Sequence, residues 1–195
     1  MKDDIRLNMQ NLSKDERELL MKLIKKANNI TPFNVGDTFE IADIEFIRFP
    51  EINGGVPIVS KDIIFSSIFD DDTNNFAESK LLERLETEVL PKIKEVVGTE
   101  NVLEFETDLL ALDGTDEYGK MKSKISLPTF DFYRQNYKIF IKYNPMNWWW
   151  LATSDSAINS GVCRVFIDGT VDCYDCNRNF GVRPFCILKS SIFES

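Results

Sequence analysis

Apolar positions change their spacing along the chain, and each change marks a change of element. Leu19, Leu20, Leu23, Ile24 and Ala27 recur on one helical face, which predicts a helix over residues 12–28. Ser13 and Glu16 form an S-x-x-E capping box at its start. Lys22, Lys25 and Lys26 suit the negative end of its dipole, and Asn28-Asn29 with Pro32 stop it. From Asn34 the period falls to two. Residues 38–41, 44–49 and 56–60 read as strands joined by Ala-Asp and Asn-Gly-Gly turns, with Ile44 and Phe46 facing a core. Residues 61–69 are apolar without a definite period and fit a short helix or a turn.

A helical stripe returns over residues 78–97, carried by Leu81, Leu82, Leu85, Val89 and Leu90. Pro91 is expected to kink or divide it and Gly98 to end it. The preceding D-D-D-T-N-N run, residues 70–75, places Asp70, Asp72 and Asn74 at the first three ligand positions of a calcium loop. Asn75 stands where that loop needs glycine and Leu81 where it needs the closing glutamate, so a polar turn capping the next helix is favoured. Residues 103–124 contain Asp113-Gly114 and Tyr118-Gly119 and read as an irregular excursion. After it, Pro128-Thr129 opens a short helix to about Gln135, with Thr129 as the N-cap.

The last quarter alternates again. After Trp148, residues 149–152 read as a strand entering the core, and residues 162–167 form another. Asp168-Gly169 is a strong hairpin signal, with Val171, Cys173 and Tyr174 returning on the partner strand. Phe180-Gly181 is expected to turn and residues 182–188 to form the last strand. Pro184 argues that this strand starts at a sheet edge, with Arg183 as a buried, hydrogen-bonded latch.

The chain has 195 residues, a net charge of -9 and no histidine. Imidazole chemistry is therefore excluded, including Ser-His-Asp and Cys-His catalysis. The acidic balance disfavours direct nucleic-acid binding and suits a basic protein partner, mimicry of nucleic acid or a role in solubility. No apolar run is long enough to cross a bilayer and no secretory leader is visible, so a cytoplasmic location and no membrane partner are expected. Glu104 and Glu106 are paired carboxylates without the spacing of a specific catalytic pair. Cys163, Cys173, Cys176 and Cys186 are separated by nine, two and nine residues. Buried reduced thiols are favoured, with a structural zinc site or disulfides as alternatives.

W-W-W-L-A-T-S (148–154), R-V-F-I-D-G-T-V (164–171) and G-V-R-P-F (181–185) resemble the closing signature of an uncharacterised domain family frequent in phages and prophages of Gram-positive bacteria. Residues 36–47, 59–64, 74–81 and 113–119 match its general pattern, so the resemblance spans about 34–190. The same order is similar to C-type-lectin-like domains, formylglycine-generating-enzyme-like domains and the variable proteins of diversity-generating retroelements. Ala152-Thr153-Ser154 departs from the usual R-S-P, and neither calcium-lectin sugar motif, E-P-N or W-N-D, is present.

The expected architecture is α+β: a C-type-lectin-like core over 31–195, with small antiparallel sheets and flanking helices, and an N-terminal helical appendage over 1–30. The resemblance implies a ligand-binding scaffold, and the expected function is a non-enzymatic phage or prophage binding protein, without a cofactor, in the cytoplasm of a bacterial host or associated with a virion. Its late loops, residues 153–160 and 172–180, would contact a protein or surface ligand, with Tyr174, Asp175, Asn177, Arg178 and Asn179 as the polar and aromatic candidates between strands. Two alternatives are an acidic, anti-CRISPR-like inhibitor of a host defence nuclease and a zinc-stabilised structural module. The N-terminal helix offers a route to a homo-oligomer.

Overall fold

In a computed structural model, Ser13, Asp15 and residues 34–52 and 54–193 are described. The helix expected over 12–28 falls outside these residues apart from Ser13 and Asp15. Contacts divide the chain into two units, Met1–Phe33 with Phe193–Ser195, and Asn34–Ile192. The second unit mixes small sheets with short helices and carries every element below.

β1 (Thr38–Ile41) and β2 (Ile44–Arg48) meet at a two-residue turn, Ala42-Asp43, where both residues have positive φ (53° and 60°). That turn matches the twist of a tight hairpin, and Ile41 pairs with Ile44 across it. β2 pairs with β3 (Gly55–Ser60), which pairs with β11 (Phe185–Lys189), giving a four-stranded sheet in the order β1-β2-β3-β11. The last strand is thus the outermost of this sheet, in line with Pro184 at its start, and its far side is bridged by Val102 and Ser126.

The second sheet has five strands in the order β4-β10-β7-β8-β9, formed by β4 (Phe65–Ser67), β7 (Trp149–Ser154), β8 (Gly161–Val165), β9 (Val171–Asp175) and β10 (Phe180–Val182). Two expectations fail here. Residues 61–69 contain a short strand, β4, which pairs with β10 over a long sequence separation. Phe180-Gly181 is strand rather than turn. Gly181 pairs with Trp149 in a parallel bridge, and its N–H donates to the Trp148 carbonyl (2.8 Å). A Cβ there would meet Ile63 and lie 2.9 Å from that carbonyl, so glycine is required by close approach. Arg183-Pro184 then carries the chain from one sheet to the other.

The helix expected over 78–97 is divided by Pro91, but not ended. α1 (Lys80–Arg84) runs into a π-helical turn (Leu85–Val89) and then α2 (Leu90–Val97). Pro91 has no N–H and crowds the preceding turn, and widening the hydrogen-bond ring just before it relieves both problems. Gly98 closes the segment at φ 91°.

Residues 103–124 are more regular than expected. β5 (Phe105–Asp108) and β6 (Lys120–Ser123) form a two-stranded ribbon. Its signal is diluted because the outer face carries only charge, with Glu106 and Asp108 opposite Lys122 and Lys120. α3 (Phe130–Gln135) begins at the predicted cap, with Thr129 Oγ1 accepting from the Phe132 N–H (3.2 Å). α4 (Tyr137–Lys142) follows at once and was not foreseen.

Between the sheets and these helices lies a core of Ile47, Phe49, Val59, Tyr133, Phe140, Trp149, Leu151, Val165 and Phe185. Arg183 is buried beside it. Its Nε donates to the Ser60 carbonyl (2.9 Å) and its guanidinium lies 4.6 Å from the Trp149 ring centre. The latch reading of Arg183 therefore describes its contacts.

Candidate binding surface

Alternation along the five-stranded sheet sends neighbouring tryptophans to opposite faces. Trp149 enters the core, where it stacks on Phe140 and its Nε1 donates to Asn144 Oδ1 (3.0 Å). Trp150 faces the other way, against Phe69 and Phe180, and its Nε1 donates to the Ser67 carbonyl (2.9 Å). The register Trp150↔Arg164 and Arg164↔Asp172 puts Arg164 on that second face.

Arg164 is only 3% exposed. Its guanidinium lies over four rings: Trp148 at 4.1 Å, Tyr174 at 4.2 Å, Phe180 at 4.4 Å and Phe166 at 4.9 Å. Nε donates to Asp172 Oδ1 (3.0 Å), and Nη1 is buried without a hydrogen-bond partner among the described residues. Stacking of this kind contributes about 0.5–2 kcal/mol per well-placed ring. The charge thus locks the aromatic side chains into one layer, while Tyr174 remains 42% exposed above it.

Two loops border this layer, residues 155–160 and 176–179. They are joined by the Cys176 N–H donating to the Ser160 carbonyl (2.7 Å) and by Ser160 Oγ donating to Asp175 Oδ1 (3.3 Å). Asn74 anchors the first loop from below. It is 1% exposed, and its Nδ2 donates to the carbonyls of Asp155 (3.0 Å), Ile158 (3.1 Å) and Gly161 (3.0 Å). Its Oδ1 accepts from the Tyr118 hydroxyl (2.5 Å).

The D-D-D-T-N-N run is indeed a capping turn, and its first residue explains why. Asp70 accepts from the N–H groups of Lys80 (3.0 Å), Asp72 (3.2 Å) and Thr73 (3.5 Å). Burial by itself raises the Asp70 pKa, but these backbone donors together outweigh burial and hold the carboxyl below its ordinary value. Both of its oxygens are thus engaged by the protein, and Asn74 is turned inward to the loop carbonyls. The same turn lies beside the second loop, with the Phe69 and Asp70 N–H groups donating to the Cys176 carbonyl (2.8 and 3.2 Å).

Tyr174, Asp175, Asn177, Arg178 and Asn179 are all exposed and sit together at the end of β9 and in the following turn. The Arg178 N–H closes that turn on the Asp175 carbonyl (3.1 Å). Trp148, Phe166 and Phe180 lie against the same face, with Arg164 and Asn74 buried beneath it, and none of these five was among the residues expected there. The alternation of Val162, Arg164 and Phe166 was a usable signal for Arg164, whereas nothing local marked Asn74.

The cysteines do not come together as a tetrad. Cys163 and Cys173 are directly opposite on β8 and β9 and form a disulfide, correcting the expectation of four reduced thiols. Antiparallel neighbours at one register position bring their sulfurs into reach, which spacing alone did not reveal. Cys176 is buried at the turn and Cys186 is buried in the other sheet, and burial pushes both thiols up in pKa. Among the described residues no group of three or more Cys, Asp or Glu is arranged to hold a metal ion.

Residues 55–190, from β3 to just beyond β11, match a family described as a domain of unknown function, DUF6273. The chain belongs to the DUF6273 family. The DUF6273 segment contains the whole Arg164 layer, both loops and all four cysteines, and it leaves β1 and β2 outside. The chain matches no curated protein and no solved structure.

Proposed function

We propose that the protein is a non-enzymatic binding protein of phage or prophage origin on a C-type-lectin-like scaffold. It contacts a protein or surface ligand through residues 155–160 and 174–179. The observation that carries this reading is the Arg164 layer. Four rings held around one buried guanidinium give the exposed Tyr174 and the adjacent polar turn a rigid base. Aromatic side chains with an adaptable polar rim suit protein recognition.

A photo-crosslinking amino acid at position 177 tests this in host lysate, with the same group at position 95 on α2 as the comparison. The expected result is one partner captured from position 177 only, and lost when Tyr174→Ala is combined with Arg178→Ala. Equal capture from both positions, or retention in the double variant, defeats the reading.

The acidic inhibitor is a second reading, supported by the net charge of -9 and by Asp70, Asp71 and Asp72 lying next to the same turn. It predicts capture that weakens sharply with added salt. Capture indifferent to salt favours the first reading.

A further inference from the structure

A concave feature elsewhere on the chain involves none of those loops. β5, residues 127–135 and β11 border a cleft of about 550 Å3. Phe105, Phe132, Phe185 and Ile187 give it an apolar lining. Glu104, Glu106, Asp108 and Asp131 also line it, and among the described residues no lysine or arginine does. Glu106 pairs with Lys120 and Asp131 with Arg134, both at 2.9 Å, but these pairs are solvent-exposed and weak. The cleft is therefore apolar inside with an acidic rim.

Two further features point to an occupant. Thr107 lies on the same face of β5 as Phe105 and is 6% exposed. It lines the cleft, yet its Oγ1 is buried without a hydrogen-bond partner among the described residues. A buried hydroxyl left unpaired is costly, and a ligand group offering a hydrogen bond removes that cost. The second feature is the edge of β5. The Leu109 N–H donates to the Gly119 carbonyl (2.9 Å), so Thr107 and Phe105 are the residues whose backbone bonds β6. Alternation then turns the backbone N–H and C=O of Glu106 and Asp108 away from β6.

We propose that this cleft binds an extended segment of a partner protein that alternates basic and apolar residues and adds as a strand along β5. Its backbone pairs with the groups of Glu106 and Asp108, as in other strand-addition complexes. One set of its side chains meets the carboxylate rim and the other enters among Phe105, Phe132 and Phe185, following the period-two geometry of a strand. The site is independent of the Arg164 surface.

The test uses a fluorescein-labelled peptide alternating Lys with Leu, titrated against the full chain by anisotropy at low and high salt. Peptides alternating Glu with Leu and Lys with Ser are the comparisons. A Lys-Leu peptide N-methylated on alternate residues tests the edge. The expected result is binding by the Lys-Leu peptide alone, weakened by salt and by N-methylation. Glu106→Lys with Asp108→Lys lowers affinity by about tenfold or more. If that variant does not fold, Glu106→Gln with Asp108→Asn is expected to weaken binding in the same direction.

Absence of Lys-Leu binding, equal binding by the Lys-Ser or N-methylated peptide, or indifference to both variants overturns the proposal. So does a dimer in sedimentation equilibrium that the charge reversal dissolves, since the occupant is then a second copy. Peptide binding without a crosslink at position 177 supports the cleft and defeats the surface reading. A position-177 crosslink without peptide binding does the opposite.

Discussion

The carboxamide of Asn74 donates a hydrogen bond to the carbonyl of Gly161, 87 residues later in the chain (3.0 Å). The same nitrogen holds the carbonyls of Asp155 and Ile158, so one buried side chain sets the path of the whole loop. Asn74→Ala leaves these acceptors, the buried Gly161 carbonyl among them, and the Tyr118 hydroxyl without their partner. The expected cost is about 2 kcal/mol, or a fall in Tm of about 4–8 °C for a chain of this size. Hydrogen exchange resolved by residue is expected to speed up over 155–161 before it does so in β8. An unchanged Tm and unchanged exchange in this loop would remove Asn74 from that role.

Arg164 is expected to be intolerant even of lysine. Arg164→Lys retains the charge but loses the planar stacking on Trp148 and Tyr174, at about 1 kcal/mol. Arg164→Ala also opens the space among the four rings and costs about 3 kcal/mol. Urea midpoints measure both losses. Tryptophan emission is expected to shift to the red in the alanine variant as Trp148 becomes wetter.

Asp70 gives acid sensitivity with a definite sign. Its carboxyl is held below the ordinary value of 3.8 in the folded chain. The stabilisation is therefore present above that value and is lost as pH falls through the depressed one. Asp70→Asn is expected to be less stable than the parent at neutral pH by about 1 kcal/mol. The gap should narrow as the parent protonates in the acid range. Urea denaturation at neutral and acid pH distinguishes this outcome from a constant difference.

The thiols give a count that does not depend on function. Cys163 and Cys173 are joined, while Cys176 and Cys186 are free and buried. Alkylation of the unfolded chain without reductant is expected to label two cysteines, and with reductant all four. In the folded chain the two free thiols should label slowly, because both are covered and burial disfavours their thiolates. Four labels without reductant would show that the β8–β9 bridge is open.

The elements legible in the sequence are those whose signal is local. The β1–β2 hairpin follows from alternation on both sides of Ala42-Asp43, and the β8–β9 hairpin from Asp168-Gly169, whose carboxylate accepts from the Thr170 N–H (2.9 Å). Thr129 announces α3 because a cap bonds only three residues away. The exposed set Tyr174, Asp175, Asn177, Arg178 and Asn179 was also visible, since polar residues between two strands have few other places to lie.

Tertiary structure alone decided which strands share a sheet. β4 and β10 are three residues each, too short for any period to show, and each becomes a strand only by pairing with the other and, for β10, with β7. Asn74 looks like a turn residue until the loop carbonyls arrive from the far end of the chain. The Arg164 layer draws its rings from four separate stretches, and the acidic cleft likewise joins β5 to α3 and β11. Hydrogen-bond caps and alternation are written in neighbouring residues, whereas buried amides, stacked charges and clefts depend on groups that only the folded chain brings within a few ångströms.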